Sequence, residues 1–407
     1  MNPQIFTLAN GLRCVYLQRP GNVMHCGIVV GCGSRDEAPS EQGTAHLIEH
    51  MLFKGTKKRN MFNILNSLDR LGGELNAFTS KEETWIHASV ESGHWKNAIE
   101  VISDIVQNST FPAAEIIREK EVVIDEMNAY KDQPGEMIFE EFDKVLFGSH
   151  GLGRSILGTE SSIKELNRKN VYGFFQRHYK PDYSVFSLVG QENPKDVEKW
   201  IDRCFGSWKK STIENSPRIK PASQRIRTLR HETDNHQAHF VTGCKTVDLH
   251  HPDRRIVAII TNYLGGPALN SKLSYELREK NGIAYHIEAN YTPFHDSGVF
   301  SIYAGTSDES LAKMEKLIWK ELEKVASGNI SSRQMESMKT QISGQLTLAQ
   351  ESPASEMFHL GRSILIYDMI ESHEEILQSV KDVKLEDFHR VSHKLLQGGK
   401  FSTLIYA

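Results

Sequence analysis

Little in the sequence points to a membrane or to export, and neither is expected of this chain. Nowhere do apolar residues run for the 18 or so positions that a membrane-crossing helix needs. The N-terminus, Met1-Asn-Pro-Gln-Ile-Phe-Thr-Leu-Ala-Asn, has neither a basic n-region nor an apolar h-region, and it is not Arg- and Ser-rich like an organelle transit peptide. Cysteine is scarce. The five present in 407 residues (Cys14, Cys26, Cys32, Cys204, Cys244) are odd in number and lack C-x-x-C spacing, so they read as reduced core thiols of a cytoplasmic protein. A surplus of positive charge is also missing: the net charge of −4 gives no support to binding nucleic acid or an anionic membrane. The Gly-rich stretch at Leu264-Gly265-Gly266 is not part of a strand–GxxxxGK[ST]–helix arrangement, which speaks against a phosphate loop.

What remains is a chain long enough for two or three domains with ample core, needing no disulfide or metal staple. Its most informative segment is Gly43-Thr-Ala-His46-Leu-Ile-Glu49-His50-Met-Leu-Phe. On a helix, positions i, i+3 and i+4 share a face, so His46, Glu49 and His50 project to one side. Two imidazoles so spaced can ligate one Zn²⁺, and the adjacent carboxylate can take a proton from a water activated there. H-x-x-E-H is an established zinc-peptidase signature, the inverse of H-E-x-x-H. Alone, in a chain with 18 histidines, it could also be a polar helix face. A third ligand decides between them, because a catalytic zinc has three protein ligands and an open position.

The third ligand is expected between Pro112 and Tyr130. Pro112 suits a first helical turn, and Ile116, Ile117, Val123, Ile124 and Met127 recur near a 3.6-residue period. Glu119 and Glu126 stand seven apart, two turns along one line, while Glu121 and Asp125 project elsewhere. A charged helix face can be merely solvated. Beside the first motif, these acids read as ligand candidates.

His46-x-x-Glu49-His50 followed by Glu119-x₆-Glu126 resembles the inverted-zincin peptidases, the family of pitrilysin, insulin-degrading enzyme and mitochondrial processing peptidase. The resemblance runs over nearly the whole chain. It implies one Zn²⁺ per chain held by His46, His50 and Glu126, with Glu49 as general base and Glu119 orienting a ligand. It also implies an α+β fold of two similar domains, each an antiparallel sheet with helices packed on one face. Within Gly72-Gly-Glu-Leu-Asn76-Ala77-Phe78-Thr79-Ser-Lys-Glu82 it implies an edge strand where an extended substrate pairs main chain to main chain, with Asn76, Ala77, Phe78 and Glu82 among the contacts. Arg278 and Tyr285 resemble the family's Arg-x₆-Tyr pair, a guanidinium for a substrate carbonyl and a phenol for a developing oxyanion. Phe147-Gly-Ser-His150-Gly151 departs from the family, in which proline usually follows the histidine.

Asn10-Gly11, between residues 5–8 and 12–17, announces a hairpin, and residues 24–30 a third strand. Residues 209–224 are polar and Pro-bearing, the expected linker between residues 1–208 and 225–407. The resemblance makes the first a zinc-binding catalytic domain and the second a metal-free homologous domain that contributes to substrate binding. In the second half, residues 237–243 and 298–304 read as strands and residues 254–264 as a helix. His231, His236 and His239 cluster, but a strand there puts His236 and His239 on opposite faces, which does not suit one metal. The expectation is a cytoplasmic zinc-dependent endopeptidase, and the resemblance further implies a homodimer acting on short or unfolded polypeptides. The rival is a non-catalytic or structural subunit of the same fold.

Overall fold

The first hairpin forms as its turn residues require. Strands β1 (Gln4–Thr7) and β2 (Arg13–Gln18) pair antiparallel with Gln4 opposite Tyr16, and the Leu8 N–H closes the loop on Leu12 O at 2.9 Å. The Asn10 side chain donates to the carbonyls of Phe205 and Trp208 at 2.8 and 3.0 Å. The structure is a computed structural model that describes residues 2–210, 217–232 and 237–407; six positions of the expected linker and His236 lie outside those residues.

The chain resolves into two compact units, and neither is a continuous segment. One comprises Met1–Asn128, Arg154–Arg218 and Ala349–Glu371; the other comprises Ala129–Gly153, Ile219–Leu348 and Ser372–Ala407. In the first, β3 (Val23–Val30), β4 (Glu74–Thr79), β5 (Thr84–Glu91) and β6 (Ser184–Gly190) join the hairpin in the order β1-β2-β6-β3-β5-β4. All neighbours are antiparallel except β2 and β6, which run parallel. Strand pleating sends alternate residues to opposite faces. Cys14, Tyr16, Ile28, Ile86 and Phe186 meet Leu47, Ile48, Ile99 and Ile102 from helices on one face. Val15, Val29, Trp85 and Val185 meet Met357, Leu360 and Ile364 of the helix Pro353–Tyr367 on the other. Gly361 allows that helix its close approach, since a Cβ there would stand 2.7 Å from the Trp85 ring.

The second unit repeats the plan. Strands β7 (Thr228–His231), β8 (Ala238–Thr246), β9 (Ala284–Pro293), β10 (Gly298–Thr306) and β11 (Ser402–Tyr406) lie in the order β7-β11-β8-β10-β9, with only β7 and β11 parallel. Setting β1 aside, both sheets have the same strand order, with the first and last strands paired in parallel. The helices Arg254–Gly265, Asp308–Ala326 and Leu385–Leu396 cover one face through Ile260, Ile318 and Phe388. Val241, Tyr303 and Leu404 on the other face meet Ile138, Phe142 and Leu146 of the helix Pro134–Phe147. These are two similar α+β domains, as expected. The expectation of helices on one face is extended: each sheet has a covering helix on its second face, drawn from the opposite half of the sequence.

The described stretch 217–224 of the expected linker is held at two points, Arg218 by Asp36 at 2.8 Å and Gln224 by its own contacts. Arg218 belongs to the first unit, while Gln224 in the second donates to Lys400 O at 3.1 Å and accepts from Lys245 N–H at 2.7 Å. His239 is buried against Tyr303 Oη at 2.8 Å, and His231 is exposed on β7. Among the described residues, no helix is long and apolar enough to cross a membrane. The five cysteines are all free.

Candidate metal centre

The motif lies on a short helix, Thr44–Met51, whose Leu47, Ile48 and Met51 are sunk in the core. Burying that stripe directs His46, Glu49 and His50 the other way. The acidic segment is a helix over Ala113–Lys131, held by Ile116 and Val123 in the same core.

The two helices bring three donors together. His46 Nε2 stands 3.8 Å from Glu126 Oε2, and His50 Nε2 stands 3.6 Å from the same oxygen. One ligand atom from each residue fits within 4.8 Å of the others, the only such metal-ligand group among the described residues. Tetrahedral zinc with bonds of about 2.1 Å separates its ligand atoms by roughly 3.4 Å, so the set is close to closing on an ion. The donor chemistry agrees. Burial, reinforced by His50, lowers the His46 pKa to about 4, so its ring is held neutral as a ligand must be. Glu126 is about a third exposed, so the group opens to solvent on that side.

Behind the donors, Glu119 Oε2 lies 3.1 Å from His50 Nδ1, and Glu119 Oε1 lies 2.6 Å from Lys54 Nζ. A carboxylate on Nδ1 favours the proton there and leaves Nε2 facing Glu126, the arrangement that orients metal-binding histidines. Glu49 is half-buried. Burial raises its pKa and Glu126 adds to the effect, while Thr79 and His50 pull it back. Glu49 Oε2 is buried with no hydrogen-bond partner among the described residues. A carboxyl so placed is poised to accept and return a proton.

Thr79 ends β4, the outermost strand of its sheet. Asn76 and Phe78 are exposed, and the Phe78 ring lies 5.7 Å from Phe358. Ala77 packs against the core. Glu82 is placed differently from an exposed substrate contact: it is 8% exposed in the β4–β5 turn, with Arg35 at 2.5 Å and Arg218 at 3.6 Å. Arg278 and Tyr285 belong to the other unit. Arg278 lies on the helical turn Tyr275–Glu279, and Tyr285 is 77% exposed near the start of β9.

Sequence reading missed Lys54 and Glu37. Lys54 lies past the end of the motif helix and meets Glu119 on another helix, a contact that no local spacing announces. Glu37 binds the N-terminus of the motif helix across a loop, and no local pattern announces such a contact.

Comparison with known proteins shows the family and the fold. Residues 13–160 match the family model described as insulinase (peptidase family M16), and residues 165–342 match that of the peptidase M16 inactive domain. An uncharacterized zinc protease of Bacillus subtilis, YmxG, is 33% identical over 394 residues, covering 96% of this chain and 95% of that protein. Another, from Mycobacterium tuberculosis, is 32% identical over 407 residues, covering 97% and 91%. Two crystal structures share the fold. A peptidase M16 inactive domain from Pseudomonas fluorescens has a TM-score of 0.92 at 20% identity, covering 100% of this chain and 98% of that one. A protease from Helicobacter pylori has a TM-score of 0.91 at 22% identity, covering 100% and 99%.

Proposed function

The chain belongs to the insulinase family of M16 peptidases, and from that premise we propose that it is a zinc-dependent endopeptidase of short or unfolded polypeptides. One observation carries the reading: two imidazoles and a carboxylate converge within 4.8 Å, and a half-buried glutamate lies between the two histidines in the motif. His46, His50 and Glu126 are the residues that would hold one zinc ion per chain. Bound there, zinc would supply Lewis-acid polarisation of the scissile carbonyl and acidify the attacking water.

The remaining steps fall to the chain itself. Glu119, neutralised by Lys54, holds the His50 ring in one tautomer and orientation. Glu49 takes the proton of the attacking water and returns it to the leaving amine. The free edge of β4, at Asn76, Ala77 and Phe78, receives an extended peptide as an added strand, which gives affinity with little sequence demand. Glu82, buried in the turn that follows β4 and paired with Arg35, would act on the substrate through the placement of that turn. Arg278 and Tyr285 serve the substrate carbonyl and the developing oxyanion, and by the family resemblance they act in trans within a homodimer. Five free cysteines suit a cytoplasmic setting.

The test is zinc content together with hydrolysis of an internally quenched peptide, with and without chelator. Stoichiometric zinc and chelator-sensitive cleavage are expected. A zinc-replete chain that cleaves nothing across a diverse peptide panel would instead indicate a non-catalytic subunit.

A further inference from the structure

The motif helix begins under a steric constraint. Gly43, the residue before its first turn, has φ +85°, and a Cβ there would stand 2.5 Å from Ile163 Cδ1 and 2.6 Å from Leu157 O. Glycine is therefore required where Ser, Thr, Asp or Asn would ordinarily accept the free N–H groups of the helix. The cap comes from six residues upstream. Glu37 Oε2 accepts from the Gly43 N–H at 2.9 Å, and Glu37 Oε1 accepts from the Ala45 N–H at 2.8 Å.

The loop that carries Glu37 is itself held in place. Glu37 is 4% exposed, and its backbone carbonyl accepts from Arg154 Nη1 at 2.8 Å. Next to it, Asp36 receives Arg218 in a two-pronged ion pair at 2.8 and 2.9 Å, and Arg218 Nη2 also donates to Gly31 O at 3.2 Å. An anchored carboxylate thus grips a helix of only eight residues, too short to hold its shape alone. Ala45, which it grips, directly precedes His46.

We propose that Glu37 is a positioning residue for the metal centre: by holding the Gly43 and Ala45 N–H groups it fixes the height and rotation of the motif helix, and so the distance of His46 and His50 from Glu126. This rests on the reading that those three residues hold zinc. Burial raises the Glu37 carboxyl to about 8, with the two backbone donors working against the rise. In either protonation state both oxygens keep a lone pair for an N–H. An amide nitrogen has none, so Glu37→Gln sets N–H against N–H at one of the two contacts.

The experiment uses the full chain. Zinc affinity is measured by competition with a chromogenic chelator, alongside the visible absorption of the Co²⁺-substituted protein and melting of the metal-stripped form. Glu37→Gln is expected to weaken zinc binding roughly 10–100-fold, the usual effect of removing a group that orients metal ligands, and to change the Co²⁺ band shape. A purely structural role would lower the melting temperature of the metal-stripped protein but leave zinc affinity and the Co²⁺ spectrum unchanged, and that result overturns the proposal. Should Glu37→Gln not fold, Glu37→Asp keeps both acceptor oxygens but withdraws them by one methylene; a smaller loss of affinity is expected, and an unchanged affinity is again fatal. A wild-type chain that takes no zinc would bring down the reading of the site itself, and this inference with it.

Discussion

Glu119→Gln separates the orienting carboxylate from the ligand carboxylate. In the native protein Glu119 lies 3.1 Å from His50 Nδ1 and 2.6 Å from Lys54 Nζ, and its side chain is 8% exposed. The amide keeps the shape and one acceptor oxygen but loses the charge. The bond to His50 falls from charge-assisted to neutral, and Lys54 loses its counter-ion. Lys54 is about a fifth exposed and can turn to water, so the fold should lose only about 1 kcal/mol. The metal should lose more: about 10–100-fold in affinity, or roughly 1.4–2.7 kcal/mol, because His50 is no longer fixed in tautomer and direction. Competition titration of zinc, paired with urea unfolding of the metal-stripped protein, reads the two effects apart. Glu126→Gln is the comparator and should lose far more affinity, since it removes a ligand. Unchanged zinc affinity in Glu119→Gln would refute the orienting role. Loss of zinc in Glu119→Gln with retention in Glu126→Gln would show that the two carboxylates have exchanged roles.

Gly43→Ala should destabilise the fold by about 1–3 kcal/mol or more, from the positive φ and the 2.5 Å approach to Ile163, as a lower urea midpoint would report. His178 is buried beside Phe174, and burial above all lowers its pKa to about 4 from 6.5. The unfolded chain therefore binds the extra proton between those values. Stability is full above about pH 6.5 and falls as pH drops towards 4, by up to roughly 3 kcal/mol, and His178→Phe should flatten that slope in urea melts across the range. Mixing inactive Glu49→Gln and Tyr285→Phe chains should restore activity if Tyr285 acts in trans, because a mixed dimer holds one site with neither lesion. Mixed dimers that form and remain inactive would exclude that arrangement.

The local parts of the site were legible because helical periodicity is local. His46, Glu49 and His50 share a face by spacing alone, and Glu119 and Glu126 differ by two turns, so their common side follows from 3.6 residues per turn. Asn10-Gly11 announced its hairpin, and residues 298–304 form a strand as expected, although β10 is buried on both faces rather than on one. The contacts that were not legible join distant parts of the chain. Nothing in the residues around Glu37 marks it as a helix cap, since capping patterns are sought next to the helix and Gly43 occupies that position. The parallel pairs β2–β6 and β7–β11 unite strands from opposite ends of each half. The covering helices Pro134–Phe147 and Pro353–Tyr367 carry apolar faces that periodicity reveals, but periodicity does not say which sheet they meet. The resemblance makes Glu82 a substrate contact, whereas its burial between Arg35 and Arg218 depends on a partner 136 residues away that no local pattern marks.

The most direct measurement of the central claim is peptide hydrolysis by zinc-replete Glu49→Gln. The amide leaves both imidazoles and Glu126 in place while removing the base, so zinc should remain stoichiometric and turnover should fall by at least the roughly 10²–10⁴-fold share of general-base catalysis. Normal turnover in a zinc-replete Glu49→Gln protein would contradict the assignment of Glu49, and with it the mechanism built on that residue.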